Sequence, residues 1–338
     1  MGSFKIGQVE VSPGERKRVN IRVAALYDFT DVNIPVEVIR GTEDGPVLFI
    51  SAAIHGDEIN GIEIIKRLLR KTILKKLRGT LIACPIINVF GFNNRSRYLP
   101  DRRDLNRSFP GNKEGSLASH LAWKFMKEVV SQSTHGIDLH TAAVHRRNLA
   151  QIRGSLEDAE TARLARAFGV PVIINSTVRD GSLREAARRR KIPILLFEGG
   201  EALRYDEAVI HIGLKGCISV MREIGMLPRL PSTYEGLRPS LETFIARDTY
   251  WIRAPHSGAF RQRKKIGDTI DSGELLATIS DPFGLDRFPV HAAEKGLIIG
   301  ASTIPLVNRG DAMFHIAKFT SSKRVRRAVA LLDDELLL

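Results

Sequence analysis

Residues 54–58, Ile54-His55-Gly56-Asp57-Glu58, stand between two contrasting hydrophobic patterns. Before them run Val47-Leu48-Phe49-Ile50 and the small residues Ser51-Ala52-Ala53; after them Ile59, Ile62, Ile65, Leu68 and Leu69 recur at helical spacing. That order predicts a strand, a short turn and an amphipathic helix. His55 and Glu58 then stand at the carboxyl end of a strand, where open α/β sheets bind their ligands. An imidazole and a carboxylate spaced this closely on a turn can converge on one cation. His140, which follows the apolar and small stretch Gly136-Ile137-Asp138-Leu139, offers a further arm at another strand end. Two histidines and a glutamate that leave a fourth position for water form a catalytic zinc set rather than a closed structural one. A lone His-x-x-Glu pair is weak, because most such pairs are solvated or capping residues, so the wider constellation decides.

That constellation comprises Asp104-Leu105-Asn106-Arg107, after a strand and a polar loop, and Phe197-Glu198-Gly199-Gly200, after another strand. With these segments in this order, the chain resembles the succinylglutamate desuccinylase/aspartoacylase family, deacylases related to zinc carboxypeptidases. The resemblance spans roughly residues 30 to 318. It implies a mixed twisted sheet flanked by helices, and one Zn²⁺ per chain held by His55, Glu58 and His140. It also implies that Asn106 and Arg107 bind the substrate carboxylate, a task that suits a guanidinium fork. Arg97, in Ser96-Arg97-Tyr98, resembles a further substrate-facing arginine of the family, and Glu198 resembles its general base. Asp138, two residues before His140 and therefore on the same side of a strand, either orients that imidazole or is an ordinary buried hydrogen-bonding aspartate. Arg153 is either cleft-facing or a surface arginine, and His135, His145 and His211 are read as non-ligands.

The chain has 338 residues, 43% of them hydrophobic, enough for one large domain and a small one. The net charge of +13 admits nucleic acid, an anionic membrane surface or anionic small molecules as partners. No nucleic-acid module is recognisable and the aromatics are not interleaved with the basic runs, so small anionic substrates and a solvated basic face are favoured. The two cysteines, Cys84 and Cys217, lie in apolar surroundings and support neither a disulfide framework nor a cysteine metal site. No signal-like apolar core follows Met1 and no long apolar span exists, so the expectation is a cytoplasmic protein without membrane partners.

The remaining segments fill in the organisation. Phe90 to Gly111 reads as a long loop, of the kind that is functional or disordered in a compact domain. Ser182 to Lys191 reads as a basic helix with a solvated face. Pro228, Pro231, Gly236 and Pro239 mark a linker, giving a catalytic α/β domain over 1–228, a linker over 229–245, a β domain over 246–320 and a tail over 321–338. Within the β domain, Ile252-Arg253-Ala254-Pro255-His256-Ser257-Gly258 parallels Val290-His291-Ala292-Ala293-Glu294-Lys295-Gly296, and each half leads to a Gly-Asp pair, Gly267-Asp268 and Gly310-Asp311. This repeat resembles the barrel-sandwich fold of biotinyl and lipoyl domains. Lys295 lacks the methionine-flanked setting of a biotinylated lysine, so the domain is read as an unmodified lid or assembly unit, with Tyr250 as a loose candidate for substrate contact. The expected activity is zinc-dependent removal of a small acyl group, acetyl or succinyl, from an N-acyl amino acid by a homo-oligomeric enzyme. A zinc carboxypeptidase and a non-catalytic metal-binding protein are the alternatives.

Overall fold

The computed structural model of the protein describes residues 3–229, 242–246, 248–319 and 322–334; most of the expected linker lies outside the described residues. β1 (Phe4–Ile6) and β2 (Val9–Val11) form a small hairpin. β3 (Arg16–Ala25) and β4 (Asp31–Arg40) form a long antiparallel hairpin at one edge of a large mixed sheet. In β3 only Val19, Ile21 and Val23 alternate into the core, as an edge strand with one wet face should. The interior strands follow: β5 (Val47–Ala52), β6 (Thr80–Cys84), β7 (His135–Ala142), β8 (Arg146–Gly154), β9 (Val172–Asn175) and β10 (Ile194–Glu201). β5, β6, β7 and β10 run parallel and are buried on both faces, which explains their near-continuous apolar sequences.

Helices cover both faces. α1 (Asn60–Leu68), α4 (Ala159–Phe168) and α6 (Glu207–Glu223) pack on one side through Ile64, Leu68, Leu164, Phe168, Ile210 and Leu214. α3 (Leu117–Glu128) and α5 (Leu183–Arg189) pack on the other through Leu121, Phe125, Leu183 and Ala187. Burying a side chain such as Phe125 contributes about 2–3 kcal/mol. Serine or aspartate caps begin α3, α4, α5 and α6, each accepting from the backbone N–H three residues on: Ser116 from Ser119, Asp158 from Thr161, Ser182 from Glu185 and Asp206 from Val209.

The expected long loop is not structureless. α2 (Val89–Asn93) forms within it because the Asn88 side chain accepts from Gly91 N, and a 3₁₀ turn spans Leu105–Arg107. Side-chain caps by asparagine and aspartate replace the hydrophobic periodicity on which a helix expectation depends.

The C-terminal region is all-β, as expected. Its strands are β11 (Phe244–Ala246), β12 (Asp248–Arg253), β13 (Gly258–Gln262), β14 (Thr269–Ile270), β15 (Leu275–Ser280), β16 (Arg287–His291), β17 (Gly296–Ser302), β18 (Leu306–Val307) and β19 (Ala312–Lys318). They enclose a core of their own that includes Ile252, Phe260, Leu276, Ile298 and Phe314. The internal repeat has a structural counterpart. Gly267 and Gly310 both have φ +90°, and the aspartate after each accepts from the backbone N–H three residues before it, at 2.9 Å in one copy and 2.8 Å in the other. α7 (Ser322–Asp334) follows where the sequence reading had only a tail.

The two regions share one sheet. β17 pairs antiparallel with β8, Gly300 opposite Asn148, and β11 runs parallel to β9. The order β12-β19-β17-β8-β10-β7-β5-β6-β4-β3 carries the C-terminal strands to within two places of the strand that holds Glu198.

Candidate active site

Three adjacent strands deliver the central residues. β7 lies between β5 and β10, and the parallel register sets Ala52 beside Leu139 and His140 beside Glu198. His55 and Glu58 occupy the turn between β5 and α1. There Ala53 has φ +50°, and Glu58 N donates to His55 O at 3.1 Å. Gly56 is required by close approach: a Cβ there would lie 2.0 Å from the Gly91 carbonyl carbon. α2 therefore presses directly on the turn and holds it.

Glu58 forms the hub. Its Oε1 lies 2.6 Å from His55 Nδ1 and its Oε2 lies 2.7 Å from His140 Nδ1. The backbone N–H of Thr141 donates to Oε2 at 3.1 Å, and Arg97 Nη1 donates to Oε1 at 3.2 Å. One donor atom from each of His55, Glu58 and His140 lies within 4.8 Å of the other two, and all three residues are buried, so the group could hold one metal ion. The second nitrogen of each ring also meets a carboxylate. His140 Nε2 is 2.8 Å from Asp138 Oδ2, and His55 Nε2 is 3.1 Å from Asp104 Oδ1. This arrangement leaves both Nδ1 atoms facing inward and fixes ring orientation from behind, the support usual for metal-ligating histidines.

Electrostatics follow from this packing. Burial pushes the Glu58 carboxyl up, but the imidazoles of His55 and His140 outweigh it and hold Glu58 well below the usual carboxylate range. Asp104 behaves alike: burial raises it, while His55 and Arg97 bring it far down. Arg97 is thus engaged by two carboxylates, with Nη2 donating to Asp104 Oδ2 at 3.0 Å, and it lines the cavity rather than projecting freely into it. Asn106 also lines the cavity; its Oδ1 accepts from Leu183 N at 2.9 Å, tying the 3₁₀ turn to the start of α5. Arg107 lies beside it on the same wall, its guanidinium shifted down by burial.

Glu198 faces the same cavity from β10. The structure places it inside a strand with a bulge between Glu198 and Glu201, not beyond the strand's end. Its Oε1 accepts from Asn148 Nδ2 at 2.7 Å, and Arg153 Nε approaches Oε2 at 2.9 Å, off the angle of a hydrogen bond. Gly199 is needed at the bulge, because a Cβ would sit 2.8 Å from Val209 Cγ1.

The cavity measures about 320 Å³, and six arginines line it: Arg97, Arg107, Arg146, Arg153, Arg179 and Arg184. Among the described residues, Arg107, Arg146, Arg179 and Arg184 form no ion pair with a carboxylate. Arg184 corrects the reading of its helix as a solvated face. It is 9% exposed, donates from Nη1 to Ser176 Oγ at 3.0 Å, and burial lowers it to about 10. The signal was available in its position between the buried residues Leu183 and Ala187.

The C-terminal region contributes Trp251, not Tyr250. Successive residues of β12 face opposite ways. Tyr250 turns towards the β region's own core, its hydroxyl donating to Glu294 O at 2.5 Å, while Trp251 lines the cavity. Trp251 stacks on His315, centroids 4.3 Å apart and planes 4° from parallel, and Arg146 lies 5.4 Å from the indole centroid. His135 and His145 lie outside the cluster; His135 Nε2 meets Glu160 at 3.2 Å.

His315 carries a pH prediction. Burial, with Arg153 adding to it, lowers its imidazole to about 3 against the ordinary 6.5. The unfolded chain then binds the proton more readily, so this contribution to stability is full above pH 6.5 and is lost as pH falls towards 3. Each unit of that window amounts to about 1.4 kcal/mol. A His315→Phe variant should unfold with a shallower dependence on pH between 6.5 and 4, read by urea denaturation; an unchanged slope would show that His315 is not held neutral.

Comparison with known proteins gives a consistent picture. Residues 44–224 match the family model for the succinylglutamate desuccinylase/aspartoacylase catalytic domain. The chain is 28% identical over 306 residues to the N-alpha-acetyl-L-2,4-diaminobutyric acid deacetylase of Halomonas elongata, covering 86% of this chain and 87% of that protein. It is 29% identical over 143 residues to the succinylglutamate desuccinylase of Pseudomonas aeruginosa, covering 38% of this chain and 41% of that protein. Among solved structures, a succinylglutamate desuccinylase/aspartoacylase from Rhodobacter sphaeroides superposes with TM-score 0.80 at 24% identity, covering 90% of this chain and 96% of that one. The product-bound ectoine utilization protein EutE (DoeB) from Ruegeria pomeroyi gives TM-score 0.80 at 22% identity, covering 90% and 97%. These two likenesses establish the fold.

Proposed function

Because the chain belongs to the succinylglutamate desuccinylase/aspartoacylase family, we propose that it is a zinc-dependent hydrolase that removes a small acyl group, acetyl or succinyl, from an N-acyl amino acid. The observation that carries this reading is the inward-facing set of two imidazoles and one carboxylate, backed by Asp104 and Asp138. The donor chemistry fits zinc: two nitrogens and an oxygen on three residues, with no cysteine or further carboxylate to close a fourth position among the described residues. Zn²⁺ held there supplies Lewis acidity, lowering the pKa of water and polarising the acyl carbonyl.

The chain's own residues do the rest. Glu198 takes the proton of the attacking water and returns it to the departing amine nitrogen. Asn106 and Arg107 hold the carboxylate of the amino acid, which aligns the scissile amide. An arginine of the lining stabilises charge that develops on the acyl oxygen.

The charge of the cavity refines the substrate class. Four guanidiniums without a carboxylate partner among the described residues exceed what a single substrate carboxylate neutralises. A cationic side chain within about 6 Å of one of them would be disfavoured by about 2–3 kcal/mol at an effective dielectric of ~20. The Halomonas relative is named for a substrate with a second amino group; this cavity suits a second acid group better. Mass spectrometry of products from N-acetylaspartate, N-acetylglutamate, N-succinylglutamate, Nα-acetyl-2,4-diaminobutyrate and a set of dipeptides tests this. The acidic N-acyl amino acids should show kcat/KM at least tenfold above the diaminobutyrate derivative. Cleavage of dipeptides alone would replace the reading with a carboxypeptidase.

A further inference from the structure

We propose that the C-terminal β region positions the catalytic base: Gly300 of β17, by having no side chain, leaves the space that lets Asn148 of β8 hold Glu198. The inference rests on the reading of Glu198 as the base. Asn148 lies opposite a glycine on each neighbouring strand, Gly200 of β10 and Gly300 of β17. A Cβ on Gly200 would meet Asn60 and Asp206 instead, so it is beside Gly300 that the buried amide occupies room only a glycine leaves. On the Gly300 side that room is fully used. A Cβ on Gly300 would lie 2.5 Å from Asn148 Oδ1 and 3.3 Å from His315 Cβ, and His315 is itself pinned against Trp251. The neighbour on one side cannot yield, so the amide must.

The consequence for Glu198 follows from the contact that the same amide makes. Asn148 Nδ2 donates to Glu198 Oε1 at 2.7 Å, while Arg153 approaches the other oxygen without hydrogen-bond alignment. Asn148 is thus the aligned donor that fixes the plane of the carboxylate. If its Oδ1 is pushed away, the whole amide turns and Nδ2 leaves Oε1. Glu198 keeps its charge partner and loses its orientation. Asn148 and Gly300 are positioning residues, and neither is expected to touch substrate.

The test uses the full-length, zinc-loaded enzyme, with zinc per chain and melting temperature measured for every variant. Asn148→Ala should lower kcat by about tenfold, within the range that general-base alignment commands, and leave KM within about twofold. Asn148→Asp, nearly the same shape but without the N–H donors, should lose at least as much. Gly300→Ala should lower kcat comparably in the wild type yet cost less than about twofold in the Asn148→Ala background, since the residue it displaces is already gone. Equal cost of Gly300→Ala in both backgrounds, a loss that falls on KM, or wild-type turnover by Asn148→Asp would each overturn the proposal. Should Gly300→Ala fail to fold, the Asn148→Ala and Asn148→Asp pair still decides. A Glu198→Gln enzyme with wild-type rates would remove the base itself. An inert Glu198→Gln beside a fully active Asn148→Ala would remove only the positioning role.

Discussion

Replacement of Glu198 by glutamine is expected to leave zinc content and fold intact while kcat falls by about 10³-fold. The magnitude follows from the work assigned to this carboxylate. General acid-base catalysis contributes roughly 10²–10⁴ in rate, and on the proposed reading one group accepts the proton and also returns it. Glutamine keeps the shape, so Asn148 and Arg153 still surround the side chain, but an amide cannot take the proton. The carboxylates around the histidine pair are not expected to rescue the variant, because Asp138, Asp104 and Glu58 are each committed. Asp138 accepts from Ser51 Oγ at 2.8 Å and meets His140 at 2.8 Å. Asp104 is taken by His55, Arg97 and the backbone N–H of Asn106. Glu58 lies between both imidazoles. Single-turnover rates with N-acetylglutamate would measure the effect free of product release. Rates within about tenfold of wild type would mean that the proton goes elsewhere.

The contrast between Glu198 and its neighbours shows where the sequence speaks and where it stops. His55, Glu58, His140 and Glu198 stand where a change of hydrophobic period or a glycine pair marks a strand or its end, so pattern suggested their gathering at one end of the sheet, while the roles given to them came from the family resemblance. The fold came from the family resemblance that these motifs carry, and its physical ground is that β5, β6, β7 and β10 are apolar runs that a sheet covered on both faces buries. Asn148, Arg184 and Trp251 carried no such mark. What makes Asn148 matter is the glycine opposite it on a strand about 150 positions later in the chain, and lateral pairing between strands has no signature in local sequence. Trp251 differs from Tyr250 only in which way a strand residue points, and register alone settles that. Asp104 was visible within its motif, but its bond to His55 depends on a loop closing across the cleft.

Removal of zinc is the other change expected to have a very large effect, with turnover falling by at least about 10⁴-fold and returning when one equivalent of Zn²⁺ is added back. The argument starts from how the three donors relate to one another. Both oxygens of Glu58 face imidazole nitrogens, at 2.6 and 2.7 Å, and the far nitrogens of both rings rest on Asp104 and Asp138. The cluster is therefore held in place from outside and needs little rearrangement to accept an ion, which favours reversible loss and recovery over unfolding. Binding to the folded chain alone must also stabilise it, by about 4 kcal/mol when zinc is at a thousandfold its dissociation constant, so a rise of roughly 5–10 °C in melting temperature should accompany reloading. Glu58→Gln separates this from a nonspecific effect of the chelator. Without the carboxylate hub that joins the two histidines, the variant should neither regain activity nor gain thermal stability from added zinc. If Glu58→Gln instead takes up one zinc per chain and recovers its rate, the ion sits elsewhere, and His55, Glu58 and His140 are a buried hydrogen-bond network rather than a metal centre.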